Sequence, residues 1–209
     1  ALLVLVLLFS LYSGISAYVA NAATKADRKQ LEDTVARLGI PFEEVEFPAR
    51  DGSATLRGWW LQPENATSGT IILVHGLDYN RATVDLGFVD LASGLRQEGF
   101  NVLMFDLRGH GESGPGRLSG GLFEQQDVLG AYDFCLNMSG SPIGLIGISM
   151  GASISLLTAA REPGISAVVA DSPFADIKDM LATEIPKRAP IPGWLTPVLI
   201  PGISLASQI

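Results

Sequence analysis

The sequence predicts an α/β fold with a mostly parallel, doubly wound sheet, and three observations favour it. Short apolar runs of strand length alternate with segments of helix length, which implies right-handed crossovers between parallel strands and helices on both faces. An uncharged apolar stretch with the length of a transmembrane helix precedes these elements. Polar and glycine residues directly follow several strands, at the sheet edge where ligands bind in such folds.

The predicted strands fall into two groups. The first two, 42–50 and 54–63, surround Asp51-Gly52, a dipeptide typical of hairpin turns. The later strands are short continuous apolar runs, as expected of strands buried on both faces. They cover 70–74, 101–105, 143–148 and 167–170, with helices predicted at 84–98, 123–138 and 150–161. Residues 41–173 are therefore predicted to form one sheet domain.

Residues 1–24 carry no charge. About 20 apolar residues cross the hydrocarbon core of a bilayer as a helix, so 1–23 are predicted to be a transmembrane anchor of a single-pass membrane protein. The alternative is a signal peptide cleaved at Ala20-Asn21-Ala22, which would leave a secreted protein. The side of the membrane stays open, because the basic residues that follow flank only one end of the helix.

Residues 24–40 are predicted to form an amphipathic helical stalk that packs on the sheet domain. Leu31, Val35 and Leu38 recur at helical spacing, and Gly39 is a natural stop. The charged residues between them are expected to face solvent.

Residues 174–209 depart from the alternation because prolines break them into short apolar pieces. These prolines are Pro186, Pro190, Pro192, Pro197 and Pro201. A proline-punctuated helical cap offers a substrate a dry apolar surface, so this segment is expected to begin a lid. Two alternatives stay open: the segment packs against further core, or residues 194–203 enter the bilayer.

Composition excludes several classes of function. The 209 residues carry a net charge of −8, which argues against nucleic-acid binding because Lys and Arg clusters must meet the phosphates. A single cysteine, Cys135, excludes an internal disulfide framework and a cysteine-rich zinc site. With two histidines in the chain, neither a metal nor a cofactor is predicted. The sequence carries no signal for an oligomeric state.

The strongest motif is Gly147-Ile148-Ser149-Met150-Gly151, which fits G-x-S-x-G between a predicted strand and a predicted helix. A sharp strand-to-helix turn leaves no room for side chains at its flanks, hence the two glycines. The turn projects the Ser149 hydroxyl from the sheet edge at a helix N-terminus. This context predicts that Ser149 is a nucleophile.

A second motif, His75-Gly76-Leu77, follows the strand at 70–74. Gly76 allows the backbone to approach a substrate closely, so the N–H of Leu77 is predicted to join that of Met150 in an oxyanion hole. His75 is expected to brace this loop rather than act as the base.

The loop after the strand at 101–105 is expected to be structural. Asp106 and Arg108 are predicted to pair and hold a tight turn around His110, which is a weaker candidate for a catalytic role.

The ordered combination of strand–HG, strand–DLRGHGES, strand–GISMG–helix and strand–DSP resembles the α/β-hydrolase fold over about residues 42–174. The similarity is to serine hydrolases of the Bem46-like and serine-aminopeptidase-like group. The resemblance implies Ser149 as nucleophile, the N–H groups of Leu77 and Met150 as oxyanion hole, and a small-molecule acyl substrate. A serine at this position argues against dehalogenases and epoxide hydrolases, which carry Asp there.

The sequence departs from this family's pattern in one respect. The triad order is Ser, then Asp or Glu, then His, but no histidine follows Ser149. We therefore expect the chain to be a fragment whose base lies beyond Ile209, and to be nearly inactive alone. Asp171 is the acid candidate in range, although Asp171-Ser172-Pro173 also suits a turn. The predicted function is that of a membrane-tethered serine hydrolase that cleaves a carboxylic ester, or a thioester or amide, through an acyl-enzyme on Ser149. The alternative functions are a peptidase or acyltransferase of the same fold, or a catalytically incomplete binding or scaffold protein.

Overall fold

The computed structural model describes residues 2–32, 34–65, 68–140, 142–189, 191–195 and 198–202. The chain divides into two compact units. One consists of Ala26–Pro173, and the other combines Ala1–Lys25 with Phe174–Ile209. The end of the expected lid, residues 203–209, and its prolines Pro190 and Pro197 lie outside the described residues.

The Ala26–Pro173 unit is built on a six-stranded sheet. The strands are β1 (Glu43–Pro48), β2 (Thr55–Leu61), β3 (Gly69–Val74), β4 (Phe100–Phe105), β5 (Ile143–Ile148) and β6 (Ile165–Asp171). Their order is β1-β2-β4-β3-β5-β6. β1 and β2 form the predicted hairpin, and β2 runs antiparallel to β4, whereas β3, β4, β5 and β6 are mutually parallel. The mostly parallel sheet is confirmed, and every predicted strand forms within a few residues of its expected ends.

The helices in the described part of the chain include α1 (Leu2–Ala23), α2 (Phe88–Gln97), α3 (Glu124–Ser139), α4 (Met150–Ala159) and α5 (Ile177–Arg188). α2 covers one face of the sheet, where Phe88 packs with Trp59 and Met104 in a buried cluster. α3 covers the other face, where Phe134 stacks on Phe47 at 4.9 Å between ring centroids. α4 packs beside α3. Helices on both faces confirm the doubly wound arrangement.

Among the residues of the predicted helical stalk that the structure describes (24–32 and 34–40), the only helical turn is a 3-10 turn at Val35–Leu38, which ends at Gly39 with φ +66°. The helical interpretation of the earlier residues is wrong. Their backbone groups bind side chains of the loop after β3 instead: the N–H of Asp27 donates to Asp78, and the Asn80 amide donates to the Gln30 carbonyl. Local spacing carries no information about these partners.

The second unit contains α1 and α5. Val19 and Ala20 of α1 are buried against Ile185, Ala189 and Leu199, whereas residues 2–9 are exposed. By length and composition α1 is apolar enough to cross a membrane, and a signal sequence near an N-terminus has the same properties. The roles of these segments as anchor and lid stay predictions.

Candidate active site

The two glycines of the G-x-S-x-G motif are required by close packing at the end of β5. A Cβ on Gly151 would lie 2.5 Å from the carbonyl oxygen of His75, and a Cβ on Gly147 would lie 2.6 Å from the Ser155 hydroxyl. Because real Cβ atoms do not approach other atoms so closely, only glycine lets the β5–α4 turn press against the end of β3.

Ser149 forms the link between β5 and α4 and adopts φ 54° and ψ −119°. Such a backbone conformation is strained for a residue with a side chain, and strain of this kind concentrates at functional sites. Ser149 is exposed, and its N–H donates to the carbonyl oxygen of Asp171 at 2.8 Å. The serine thus stands at the carboxyl edge of the sheet, at the start of a helix.

The loop after β3 passes directly against Ser149. A Cβ on Gly76 would lie 3.2 Å from the Cβ of Ser149. Leu77 follows Gly76, and Met150 follows Ser149. Within the described part of the chain, neither the N–H of Leu77 nor that of Met150 has a hydrogen-bond partner. Two backbone donors therefore remain unpaired beside an exposed hydroxyl.

His75 is fully buried and joins two loops. The N–H of Leu107 donates to its Nε2 at 3.0 Å, so its Nδ1 carries the proton and donates to the carbonyl oxygen of Gly76 at 2.8 Å. That carbonyl and the N–H of Leu77 belong to one planar peptide group, so His75 fixes the orientation of both. Burial, with a smaller contribution from nearby His110, lowers the pKa of His75 to about 3 and keeps the ring neutral.

His110 is held in the same way. Its Nε2 accepts from the N–H of Asp78 at 3.3 Å, and its Nδ1 donates to the carbonyl oxygen of Arg108 at 2.9 Å. Burial lowers the pKa of His110. All ring nitrogens of both histidines are occupied by backbone groups, so neither histidine is free to take a proton from Ser149.

The model of a family described as serine aminopeptidase, S33 (Hydrolase_4) matches residues 65–209. The chain belongs to that family. It is similar to the uncharacterized protein YqkD of Bacillus subtilis, with 33% identity over 162 residues that cover 73% of this chain and 51% of YqkD. It is also similar to YfhR of Escherichia coli K12, with 32% identity over 151 residues that cover 69% of this chain and 51% of YfhR. The chain thus spans about half the length of the curated relatives it matches.

Among solved structures, the esterase Pf2001 of Pyrococcus furiosus superposes with a TM-score of 0.70 and 29% identity, covering 87% of this chain and 68% of Pf2001. The S33 family match and this superposition confirm the α/β-hydrolase fold that the sequence motifs indicated.

Asp171, the acid candidate of this S33 chain, ends β6 with its side chain exposed. Its carboxylate accepts a hydrogen bond from the Ser172 hydroxyl at 2.8 Å, and Ser172 has φ 55°. These are features of a turn. A catalytic role for Asp171 stays a prediction.

The predicted pairing of Asp106 with Arg108 is wrong. Asp106 is buried and binds the guanidinium and the N–H of Arg81, whereas Arg108 pairs with Asp127 of α3 at 2.8 Å. The two side chains diverge to different elements, and their partners lie 25 and 19 residues away in sequence. The sequence offered no local signal for Arg81 or Asp127.

Asp78 was also missed, although a signal existed. It directly follows the predicted oxyanion residue, and Asp is one of the few residues that tolerate a left-handed conformation, which it adopts with φ 58°. Among the described residues, no group of three or more His, Cys, Asp or Glu side chains could hold a metal ion.

Proposed function

We propose that this chain carries the nucleophile of a serine hydrolase that cleaves small-molecule carboxylic esters through an acyl-enzyme on Ser149. One observation carries the proposal: an exposed hydroxyl in a strained strand-to-helix turn, beside the unpaired N–H groups of Leu77 and Met150. Membership of the S33 family and similarity to a protein named an esterase support it.

In the proposed reaction the Ser149 oxygen attacks the ester carbonyl carbon while its proton passes to a general base. The carbonyl oxygen becomes an oxyanion that accepts hydrogen bonds from the N–H groups of Leu77 and Met150. Collapse of this tetrahedral intermediate expels the alcohol, which takes up the proton held by the general base. Water then attacks the acyl-enzyme by the same steps and releases the carboxylic acid. Since His75 and His110 are occupied, the base is neither of them.

The occupied histidines also favour a second candidate, a non-catalytic binding or scaffold protein of the same fold. The two candidates differ in one property. A hydrolase transfers the acyl group to Ser149, whereas a binding protein only holds its ligand.

The test is p-nitrophenyl acetate hydrolysis by the full-length gene product, compared with Ser149→Ala and Ser68→Ala. Ser68 is an exposed serine that precedes β3 at the opposite end of that strand, so its loss controls for non-specific serine reactivity. The proposal expects activity in wild type and Ser68→Ala, and at least a 10³-fold loss in Ser149→Ala. Equal rates in wild type and Ser149→Ala would favour the binding protein.

We further propose that α1 anchors the protein in a membrane as a single span, since its 22 residues are uncharged and mostly apolar. The mass of the mature protein, recovered from both the membrane fraction and the soluble fraction, tests this. An intact α1 supports the anchor, and cleavage after Ala22 would show a signal peptide instead.

A further inference from the structure

Asp78 is held in its left-handed conformation by two partners from distant parts of the chain. Its N–H donates to Nε2 of His110 at 3.3 Å, and its Oδ1 accepts from the N–H of Asp27 at 2.8 Å. At φ 58° a non-glycine residue has a higher backbone energy than in its ordinary conformations, and these two bonds offset that cost. Asp78 directly follows Leu77, the proposed oxyanion donor.

Asp27 belongs to a segment, 26–32, that is tied to the loop after β3, which borders Ser149, and to the loop after β4. The Asn80 amide donates to the carbonyl oxygen of Gln30 at 3.0 Å, and the guanidinium of Arg28 donates to that of Gly111 at 3.2 Å. The ammonium of Lys29 lies 5.0 Å from the centre of the Tyr79 ring. A segment without regular helix or strand thus reaches the loop after β3 and the loop after β4.

We propose that Asp78 is a positioning residue for the oxyanion site, and that the N–H of Asp27 in the 26–32 segment holds it in position. The inference rests on the proposed function of Ser149 and Leu77. Without the bond from Asp27, residue 78 is no longer restrained in the left-handed conformation and is free to leave it, which displaces the adjacent Leu77 N–H. A displaced donor weakens stabilisation of the transition state while ground-state binding is retained, so kcat falls and KM does not change.

Two matched pairs of variants of the full-length gene product test this with p-nitrophenyl acetate. Asp78→Gly and Asp78→Asn both tolerate the left-handed backbone, but only Asn keeps the acceptor oxygen. Asp27→Pro and Asp27→Ala both remove the side chain, but only Pro removes the N–H donor. Circular dichroism and melting temperature verify folding of each variant.

The proposal expects Asp78→Gly and Asp27→Pro to lower kcat about tenfold, with KM within about twofold of wild type. The loss in kcat is smaller than that caused by removing an oxyanion donor, because the Leu77 N–H is displaced and not lost. Asp78→Asn and Asp27→Ala stay within about twofold of wild type in kcat. The double variant Asp78→Gly/Asp27→Pro is no slower than Asp78→Gly alone, because both changes break one interaction.

Wild-type kcat in Asp78→Gly and Asp27→Pro would overturn the proposal, as would equal losses in Asp27→Ala and Asp27→Pro. If Asp27→Pro does not fold, the Asp78→Gly and Asp78→Asn pair decides. Ser149→Ala separates this inference from the proposed function. If activity survives in Ser149→Ala, the proposed function fails. If Ser149→Ala is inactive while the Asp78 and Asp27 variants behave as wild type, only the positioning role fails.

Discussion

His75 and His110 lie edge to face with their ring centroids 5.0 Å apart, and backbone groups occupy all of their ring nitrogens. They are the two histidines of the 209-residue chain. Both join the loop after β3 to the loop after β4, and burial lowers the pKa of both. In this chain the histidines connect the loop beside Ser149 to the loop after β4, and neither is available to activate Ser149.

The buried His75 predicts a loss of stability at acidic pH. Its pKa falls from 6.5 to about 3 on folding, so below pH 6.5 the unfolded chain binds a proton that the folded chain does not. The stabilisation is therefore complete above pH 6.5 and declines as pH falls towards 3. Between pH 7.5 and 5.5 the free energy of unfolding should drop by about 1.4 kcal/mol from His75 alone, measured by urea denaturation.

The control for this prediction is His75→Gln, which keeps a donor and an acceptor but does not titrate. Asp127 changes stability in the opposite sense, since burial raises its pKa to about 6 against the attraction of Arg108. Its contribution is present in both proteins and cancels in the comparison. An identical pH dependence in wild type and His75→Gln would contradict the neutral, buried state of His75.

Gly151→Ala should destabilise the protein by about 1–3 kcal/mol, because the added Cβ meets the backbone at the end of β3. Gly94→Ala is the matched control. Gly94 lies in α2 with nothing within 4 Å of an added Cβ, so alanine there should stabilise the helix by up to about 1 kcal/mol. Urea denaturation measures both. If both substitutions changed the free energy of unfolding in the same direction, the close packing of the β5–α4 turn against β3 would be contradicted.

Arg108→Ala should destabilise the protein by about 3–5 kcal/mol, because it leaves the Asp127 carboxylate buried without its partner. The exposed pair of Arg37 with Asp90 provides the comparison, and Arg37→Ala should change stability by less than about 1 kcal/mol. Thermal unfolding of both variants measures the difference. Equal effects would mean that the Arg108 pair is solvated.

The 209-residue chain by itself should hydrolyse p-nitrophenyl acetate no faster than its Ser149→Ala variant. With both histidines occupied, none can accept the Ser149 proton, and removing the base of a comparable serine enzyme costs about 10⁶-fold in kcat. Release of p-nitrophenolate gives the rate. Turnover that depends on Ser149 would mean that a different group of this chain acts as the base.

The sequence predicted those parts of the fold and site that depend on local pattern. Apolar runs located β3 to β6, β-rich runs around Asp51-Gly52 located β1 and β2, and G-x-S-x-G located the turn at Ser149, because these patterns are properties of neighbouring residues. Hydrogen bonds between distant segments were not predictable in this way. The backbone of 26–32 binds Asp78 and Asn80, more than 45 residues later, and so does not form the expected helix.

The buried ion pairs show the same limit of prediction from local sequence. Asp106 and Arg108 are close in sequence and opposite in charge, which favoured a local pair, but Asp106 pairs with Arg81 of the loop after β3 and Arg108 with Asp127 of α3. Only the packed sheet brings Arg81 and Asp127 to them. The acid and base of the proposed reaction were not identified for a related reason, since the family order sets them after Ser149 and the described residues contain no histidine there.

Intact and peptide mass spectrometry after treatment with a fluorophosphonate tests the central claim most directly. In the full-length gene product we predict one stoichiometric adduct, on the peptide that contains Ser149, and its loss in Ser149→Ala. A wild-type protein that remains unlabelled, or an adduct that persists in Ser149→Ala, would contradict the assignment of Ser149 as an activated nucleophile.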